Sequence, residues 1–324
     1  MSEPLLAIEG LRIAARGNEP LVDGLTFSVM PGEIVALVGE SGCGKSMTAL
    51  SVMGLLPPGT AVTAGTVRLH GQDLLTRTPR QMDAVRGRNV GMIFQQPQAM
   101  LDPTARVGTH IAEALRRHRG LRGRAAAERV VELLREVGIP EPRLRANAFA
   151  HELSGGMAQR VMIAAALSGG PDLLIADEPT TALDVTVQVQ ILRLLAEERR
   201  TRGLAILLIT HDLSVVSALA DRVVVMYAGA VVEQGQASAI FAAPRHPYTR
   251  ALVRCSLMQP DGSGRLASIR GSASGARTLA CGCRFHPRCD HAAALGLASC
   301  RDAEPALTVH EPDRLVRCWA ADTV

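Results

Sequence analysis

The stretch GESGCGKS, residues 39–46, constrains this chain more than any other. It fits G-x-x-x-x-G-K-[ST], a spacing in which glycines let several backbone N–H groups converge on one anion where a helix begins. PGEIVALVG ahead of it reads as a turn and a buried apolar strand, and SMTALSVMGLL behind it has helical spacing. Gly39, Gly42 and Gly44 permit positive φ in the loop between them. Lys45 presents a compact charge to the β- and γ-phosphates of a nucleotide, and Ser46 a hydroxyl to Mg²⁺. Composition sharpens this point. Of 35 basic side chains, 34 are arginine and only Lys45 is lysine. A broad planar guanidinium does not fit a nest shaped for a point charge, so this position has kept its ammonium.

Two further strands carry chemistry. In DLLIADEP, four apolar residues lead into Asp177 and Glu178, which places the acids at the carboxyl end of a strand in a parallel sheet. Asp177 suits Mg²⁺, and Glu178 suits the orientation and deprotonation of an attacking water. In AILLITHD an apolar strand leads to His211, in position for a γ-phosphate contact. Between the loop and the acids, Ser154 with Gly155 and Gly156 caps a helix whose apolar face includes Val161, Ile163, Ala164 and Leu167. That helix start is a second anion site. Two such sites on one ATP are geometrically awkward within one chain, whereas two chains facing each other accommodate them.

GESGCGKS, MIFQQP, LSGGMAQR, LLIADEPTTALDVTVQ and LLITHDL, in this order over residues 5 to 235, closely resemble the ATPase subunits of ABC transporters. PRHPYTRALVRC and GCRFHPRC extend the resemblance to the oligopeptide/dipeptide importer subgroup, which also serves nickel. The resemblance implies an α/β fold: a P-loop, RecA-like core with an antiparallel β subdomain, an inserted helical subdomain and a small cysteine-rich C-terminal extension. The boundaries expected are 1–95 and 153–235 for the core, 96–152 for the helical part that touches the permease, and 236–324 for the extension.

It also implies roles for individual residues. ATP is held by Gly39, Ser41, Gly42, Cys43, Gly44, Lys45, Ser46 and Met47, and Mg²⁺ by Ser46, Gln95 and Asp177. Glu178, His211 and Gln95 serve catalysis, and Asp184 of ALD crosses a dimer interface. Ser154, Gly155 and Gly156 bind the γ-phosphate on a partner ATPase, either a second copy or a related chain. Two transmembrane permeases and an extracytoplasmic solute-binding protein complete the assembly, on the cytoplasmic face of the cell membrane, with no nucleic acid. The family's adenine-stacking aromatic falls at Ala14 or Ala15, which leaves the Arg16 guanidinium as its substitute.

The rest of the chain supports a cytosolic setting. No run approaches the ~18 apolar residues of a membrane span, and MSEPLLAIEG lacks the basic and apolar regions of a secretory signal. RRHRGLRGR, residues 116–124, has no aromatic partners for bases and reads as a solvated helix end. Residues 259–277, rich in Gly, Ser and Ala, read as a flexible linker or extended arm. Five of the seven cysteines follow within the final 44 residues. Disulfides are rare in the cytosol, which leaves reduced core thiols, zinc or an iron–sulfur site. The subgroup resemblance implies a 4Fe-4S cluster on Cys283, Cys289, Cys300 and Cys318, with Cys281 spare. Arg270 and Ala280 replace prolines common there.

Overall fold

A computed structural model describes residues 3–17, 19–96, 100–180, 183–257, 268–273, 275–279 and 281–324. Ala182 of ALD, Ala280 and the first half of the expected 259–277 arm lie outside the described residues. The chain forms two compact units, one of Met1–Val29, Ile34–Thr76 and Ile209–Val324, the other of Met30–Glu33 and Arg77–Leu208.

The first unit contains two sets of strands. β1 (Leu6–Ala15), β2 (Pro20–Val29), β4 (Thr60–Leu69) and β5 (Gln72–Asp73) make an antiparallel sheet in the order β2-β1-β4-β5. Leu6, Ile8, Leu11 and Ile13 of β1 are fully buried. The spacing from Ile8 to Leu11 breaks strict alternation, and the pairing register shifts there, at Gly10 with φ 59°. The second set, in the order β11-β12-β10-β9-β3, joins β3 (Ile34–Val38), β9 (Arg222–Tyr227), β10 (Ala230–Gln236), β11 (Thr308–Glu311) and β12 (Arg314–Val316). Every residue of β3 is buried, as its unbroken apolar run IVALV requires of a strand covered on both faces. It runs parallel to β9.

The C-terminal segment is built into this unit. β12 pairs antiparallel with β10 through Glu233 and Val316. The Glu233 carboxylate is fully buried and accepts from Arg314 Nε at 3.1 Å and from the backbone N–H groups of Arg245 and His246, both at 3.0 Å. A buried charge is tolerated when each oxygen is paired in this way. Phe285 packs with Tyr227 and Tyr248, and Cys283 and Cys289 lie against the same core. The described half of the expected flexible linker or extended arm is docked: Ile269 and Ala273 pack on that core, and Ala276 is buried in a 3₁₀ turn, Ala276–Thr278. Glycine and serine content suggested a linker or an arm, and the apolar residues Ile269, Ala273 and Ala276 are what tie its described part to a core.

The second unit carries β6 (Val90–Ile93) and β7 (Leu173–Asp177), which pair in parallel, with β8 (Ala205–Thr210) beside β7. β8 crosses the division, Leu208 ending one unit and Ile209 resuming the other. Among the described residues the unit's helices include Pro79–Val85, Val107–Arg119, Gly123–Glu136, Pro142–Arg145, Gly155–Ser168 and Val185–Arg202. Between residues 100 and 152 every regular element is helical apart from an isolated bridge, Arg106 to Phe149. No helix among the described residues is long and apolar enough to cross a membrane.

Candidate functional site

In the first unit the glycine loop leaves β3 and ends at Gly44, the N-cap of helix Lys45–Met53, with φ 109°. Two glycines are obligatory. A Cβ on Gly39 would stand 2.2 Å from the Met226 carbonyl, and one on Gly44 2.8 Å from that of Leu21, so the loop is pressed against neighbouring backbone. Lys45 is 7% exposed, and its Nζ donates to the carbonyls of Gly39 at 2.7 Å and Glu40 at 3.1 Å. The ammonium thus bridges the first two residues of its own loop. Cys43 is buried beneath it, which pushes its thiol pKa up against the lowering pull of Lys45. Ser41, Gly42 and Ser46 are exposed, and Met47 is half-buried.

His211 is exposed between β8 and helix Leu213–Leu219. Asp212 behind it caps that helix by accepting from Ser214 N–H at 2.9 Å, and its own N–H donates to Thr210 Oγ1 at 3.0 Å, so the turn bearing the imidazole is tied at both ends. Ala14 is buried, whereas Arg16 is exposed and lies over Gly59, with its Nε 3.2 Å from that glycine's Cβ position.

The second unit holds the other expected residues. Asp177 ends β7 with 5% exposure. Glu178 follows with φ 53°, in the left-handed region. Pro179 comes next, and a residue before proline is normally driven to extended backbone, so Glu178 is strained on two counts. Such strain costs on the order of 1–3 kcal/mol and persists only where the surroundings impose it. Gln159, 3% exposed, supplies one restraint: its Nε2 donates to the Pro179 carbonyl at 2.7 Å.

Gln159 belongs to the helix that Ser154 caps. Ser154 Oγ accepts from Met157 N–H at 3.3 Å, and Ser154 and Gly155 are exposed. Gly156 lies beside the next helix, its Cβ position 3.5 Å from Val187. Asp184 caps that helix, Val185–Arg202, by accepting from Val187 N–H at 2.9 Å. Arg160 donates to the Val137 and Gly138 carbonyls, both at 3.1 Å, and to Gln190. Adjacent residues of one helix therefore hold the Glu178 turn and the helical segment. Gln95 is exposed just beyond β6.

Cys283, Cys289, Cys300 and Cys318 line one small cavity of about 10 Å³ in the first unit, with His246, Phe285 and Trp319 among its walls. Cys283 N–H donates to the Cys300 carbonyl at 2.8 Å, and Ala292 and Ala320 N–H groups donate to the sulfurs of Cys289 and Cys318 at 3.3 and 3.4 Å. Burial raises all four thiols, Cys283 to about 11 and Cys318 to about 12. All seven cysteines are free thiols. Among the described residues, no group of three or more His, Cys, Asp or Glu side chains stands ready to hold a metal ion. The donor chemistry suits a cluster, but the spacing of the side chains does not yet form its ligand shell.

The ABC transporter family model matches residues 22–181, and the model of the oligopeptide/dipeptide transporter C-terminal region matches residues 232–294. A probable peptide ABC transporter ATP-binding protein, y4tR of Sinorhizobium fredii, is 45% identical over 99% of this chain and 96% of its own length. The dipeptide transport ATP-binding protein DppD of Escherichia coli is 46% identical over 92% of this chain and 90% of its own. The chain belongs to the ATP-binding proteins of ABC transporters. Its fold agrees: the ATP-binding cassette MJ0796, in a dimeric post-hydrolysis state with ADP and Pi, aligns with a TM-score of 0.65 at 26% identity, over 72% of this chain and 98% of that one.

The structure also brings together residues of this ABC ATPase to which the motifs assigned no role. Glu40 N–H donates to the Tyr248 hydroxyl at 2.9 Å, and the Glu40 carboxylate is gripped by Arg288 at 2.8 and 2.9 Å. Tyr227 and Tyr248 are the chain's two tyrosines, and their rings meet at 4.7 Å below the loop. Their scarcity was a signal of the same kind as the lone lysine. Gln159 carried no such signal, because a buried glutamine on a helix is visible only once its partner is in place.

Proposed function

We propose that this ABC ATPase powers import of dipeptides and oligopeptides from the cytoplasmic face of the cell membrane. The observation that carries the reading is the match of residues 232–294 to the oligopeptide/dipeptide C-terminal region, supported by relatives named for dipeptide transport. Two permease subunits form the path and an extracytoplasmic binding protein delivers cargo to them. Residues 1–95 and 153–235 act as the nucleotide core, 96–152 as the permease-facing part and 236–324 as the extension. A groove of about 950 Å³ between helices Val107–Arg119 and Gly123–Glu136, lined by Arg106, Arg116 and Arg122, supports the second assignment.

The chemistry follows from the residues. Ser41, Gly42, Cys43, Gly44 and Met47 bring backbone N–H groups toward the phosphates, and Lys45 exchanges its loop carbonyls for β- and γ-phosphate oxygens. Arg16 gives adenine a flat cation to stack on. Ser46, Gln95 and Asp177 would hold Mg²⁺, which would supply positive charge to the phosphates. Glu178 accepts a proton as a water oxygen bonds to the γ-phosphorus and the bond from that phosphorus to the β-bridging oxygen breaks, releasing ADP. His211 steadies the γ-phosphate. Ser154, Gly155 and Gly156 bind the γ-phosphate of the partner ATPase, and Asp184 crosses to that partner. ATP stabilises the closed pair because its γ-phosphate contacts both chains, and phosphate loss removes that differential contact.

A strain lacking this chain should lose uptake of labelled dipeptides and regain it on re-expression. Unchanged peptide uptake, or loss of nickel uptake alone, would overturn the cargo assignment. Cys283, Cys289, Cys300 and Cys318 are proposed to hold a 4Fe-4S cluster, on the strength of four sulfur donors gathered in one region and the N–H groups directed at two of them, with side chains that would have to reorient to form the ligand shell. The cluster's role here is taken to be structural. Protein purified without oxygen should be brown, absorbing near ~400 nm, with about four irons per chain; a colourless, iron-free preparation rules the cluster out.

A further inference from the structure

We infer that Arg288, contributed by the cysteine-bearing C-terminal segment, is a positioning residue for the ATP-binding loop. It rests on the reading of residues 39–47 as that loop and assigns it a regulator that no loop motif contains. The side chain of Arg288 is 6% exposed. Its two terminal nitrogens meet the two oxygens of Glu40 at 2.8 and 2.9 Å, a fork-to-fork pairing. The remaining N–H capacity goes to the Tyr227 hydroxyl at 3.2 Å and the carbonyls of Arg270, Gly271 and Ile269 at 2.7, 3.3 and 3.4 Å. The guanidinium lies over the Tyr227 ring, 5.6 Å from its centre. The hydrogen bonds to Glu40, first among these, raise the Arg288 pKa, which leaves its charge permanent.

Glu40 is the second residue of the loop, and its backbone is engaged on both sides. Its N–H donates to the Tyr248 hydroxyl, and its carbonyl accepts from Lys45 Nζ. Fixing the side chain as well leaves the residue no free direction, so the peptide planes that follow keep their orientation. Preorganised donors bind an anion without a further ordering cost. Arg288 has a second effect. A lone Glu40 carboxylate beside a triphosphate would repel it, and the paired arginine cancels that charge. Both effects act on nucleotide binding more than on bond cleavage. Arg288 lies within the segment that carries Cys283 and precedes Cys289, so the strap lining the cysteine cavity is also the strap on the loop.

The test uses the full chain, with MgATP affinity followed by a fluorescent ATP analogue and steady-state hydrolysis measured in parallel. Arg288→Ala should raise Kd and KM about tenfold while kcat changes by less than about threefold, a split that a general loss of folding does not produce. Arg288→Lys, which keeps the charge but not the fork, should fall between it and wild type. In the Glu40→Gln background, where no carboxylate is left unpaired, Arg288→Ala should add little, the non-additivity expected of contacting groups. Arg284→Ala is the comparison for docking alone: Arg284 pairs with Asp23, Glu304 and the Ala228 carbonyl and makes no hydrogen bond or ion pair with residues 39–47, and its removal should leave ATP affinity within about twofold of wild type. Wild-type affinity in Arg288→Ala, equal losses in Arg284→Ala and Arg288→Ala, or full additivity with Glu40→Gln would each overturn the assignment. Lys45→Ala reports on the underlying reading separately, because nucleotide binding unaffected by that change would refute the loop itself.

Discussion

Lys45→Arg should lower ATP hydrolysis by about 10³-fold and weaken MgATP binding with it, although it preserves the charge. Loss of one preorganised charge-stabilising donor already costs on the order of 10²–10³ in rate, and here the same group also binds the ground state. The reason lies in the space around Nζ. It sits 2.7 Å from the Gly39 carbonyl and 3.1 Å from that of Glu40, in a loop whose Gly39 and Gly44 tolerate no added carbon. A guanidinium carries its donors in a wide plane and would have to displace backbone to enter. In a chain that uses arginine at 34 other positions, this exchange is the sharpest test of why one lysine remains. Hydrolysis at the wild-type rate by Lys45→Arg would refute the phosphate-cradle reading of residues 39–46.

Glu178→Gln should reduce kcat by about 10²–10⁴, the usual contribution of a positioned general base, while leaving MgATP affinity near wild type. Glutamine matches glutamate in shape, so the turn at φ 53° and the Gln159 hydrogen bond to Pro179 are retained and only the proton acceptor is lost. Because the dimer is expected to reopen only after phosphate leaves, the variant should accumulate as an ATP-bound dimer on gel filtration, where wild type does not. Phosphate release that persists in Glu178→Gln would move the base to another residue. Full hydrolysis loss accompanied by loss of ATP binding would show instead that Glu178 maintains the site's structure.

What could be read from the chain in advance has a common property: its chemistry depends on residues adjacent in sequence. The loop at 39–46, the Asp177–Glu178 pair and the Ser154–Gly156 cap each occupy a few contiguous positions, because a strand end or a helix start delivers them together. The burial of β3, β7 and β8 was legible for the same reason, each being an unbroken apolar run. Where the arm at 259–277 docks was not legible, because composition describes a segment's average polarity, whereas docking depends on a few side chains such as Ile269 and Ala276 meeting a core.

The sequence by itself determined the family, the glycine loop with its lone lysine, the paired acids after an apolar strand and the set of cysteines. Only the tertiary structure brought Arg288 to Glu40, 248 residues away, placed both tyrosines beneath the loop and gathered Cys283, Cys289, Cys300 and Cys318 around one cavity. It also showed Glu178 in a left-handed turn restrained by Gln159. The physical reason is that local motifs are set by backbone geometry over a few residues, whereas the pairing of distant side chains depends on which surfaces the folded chain brings into contact.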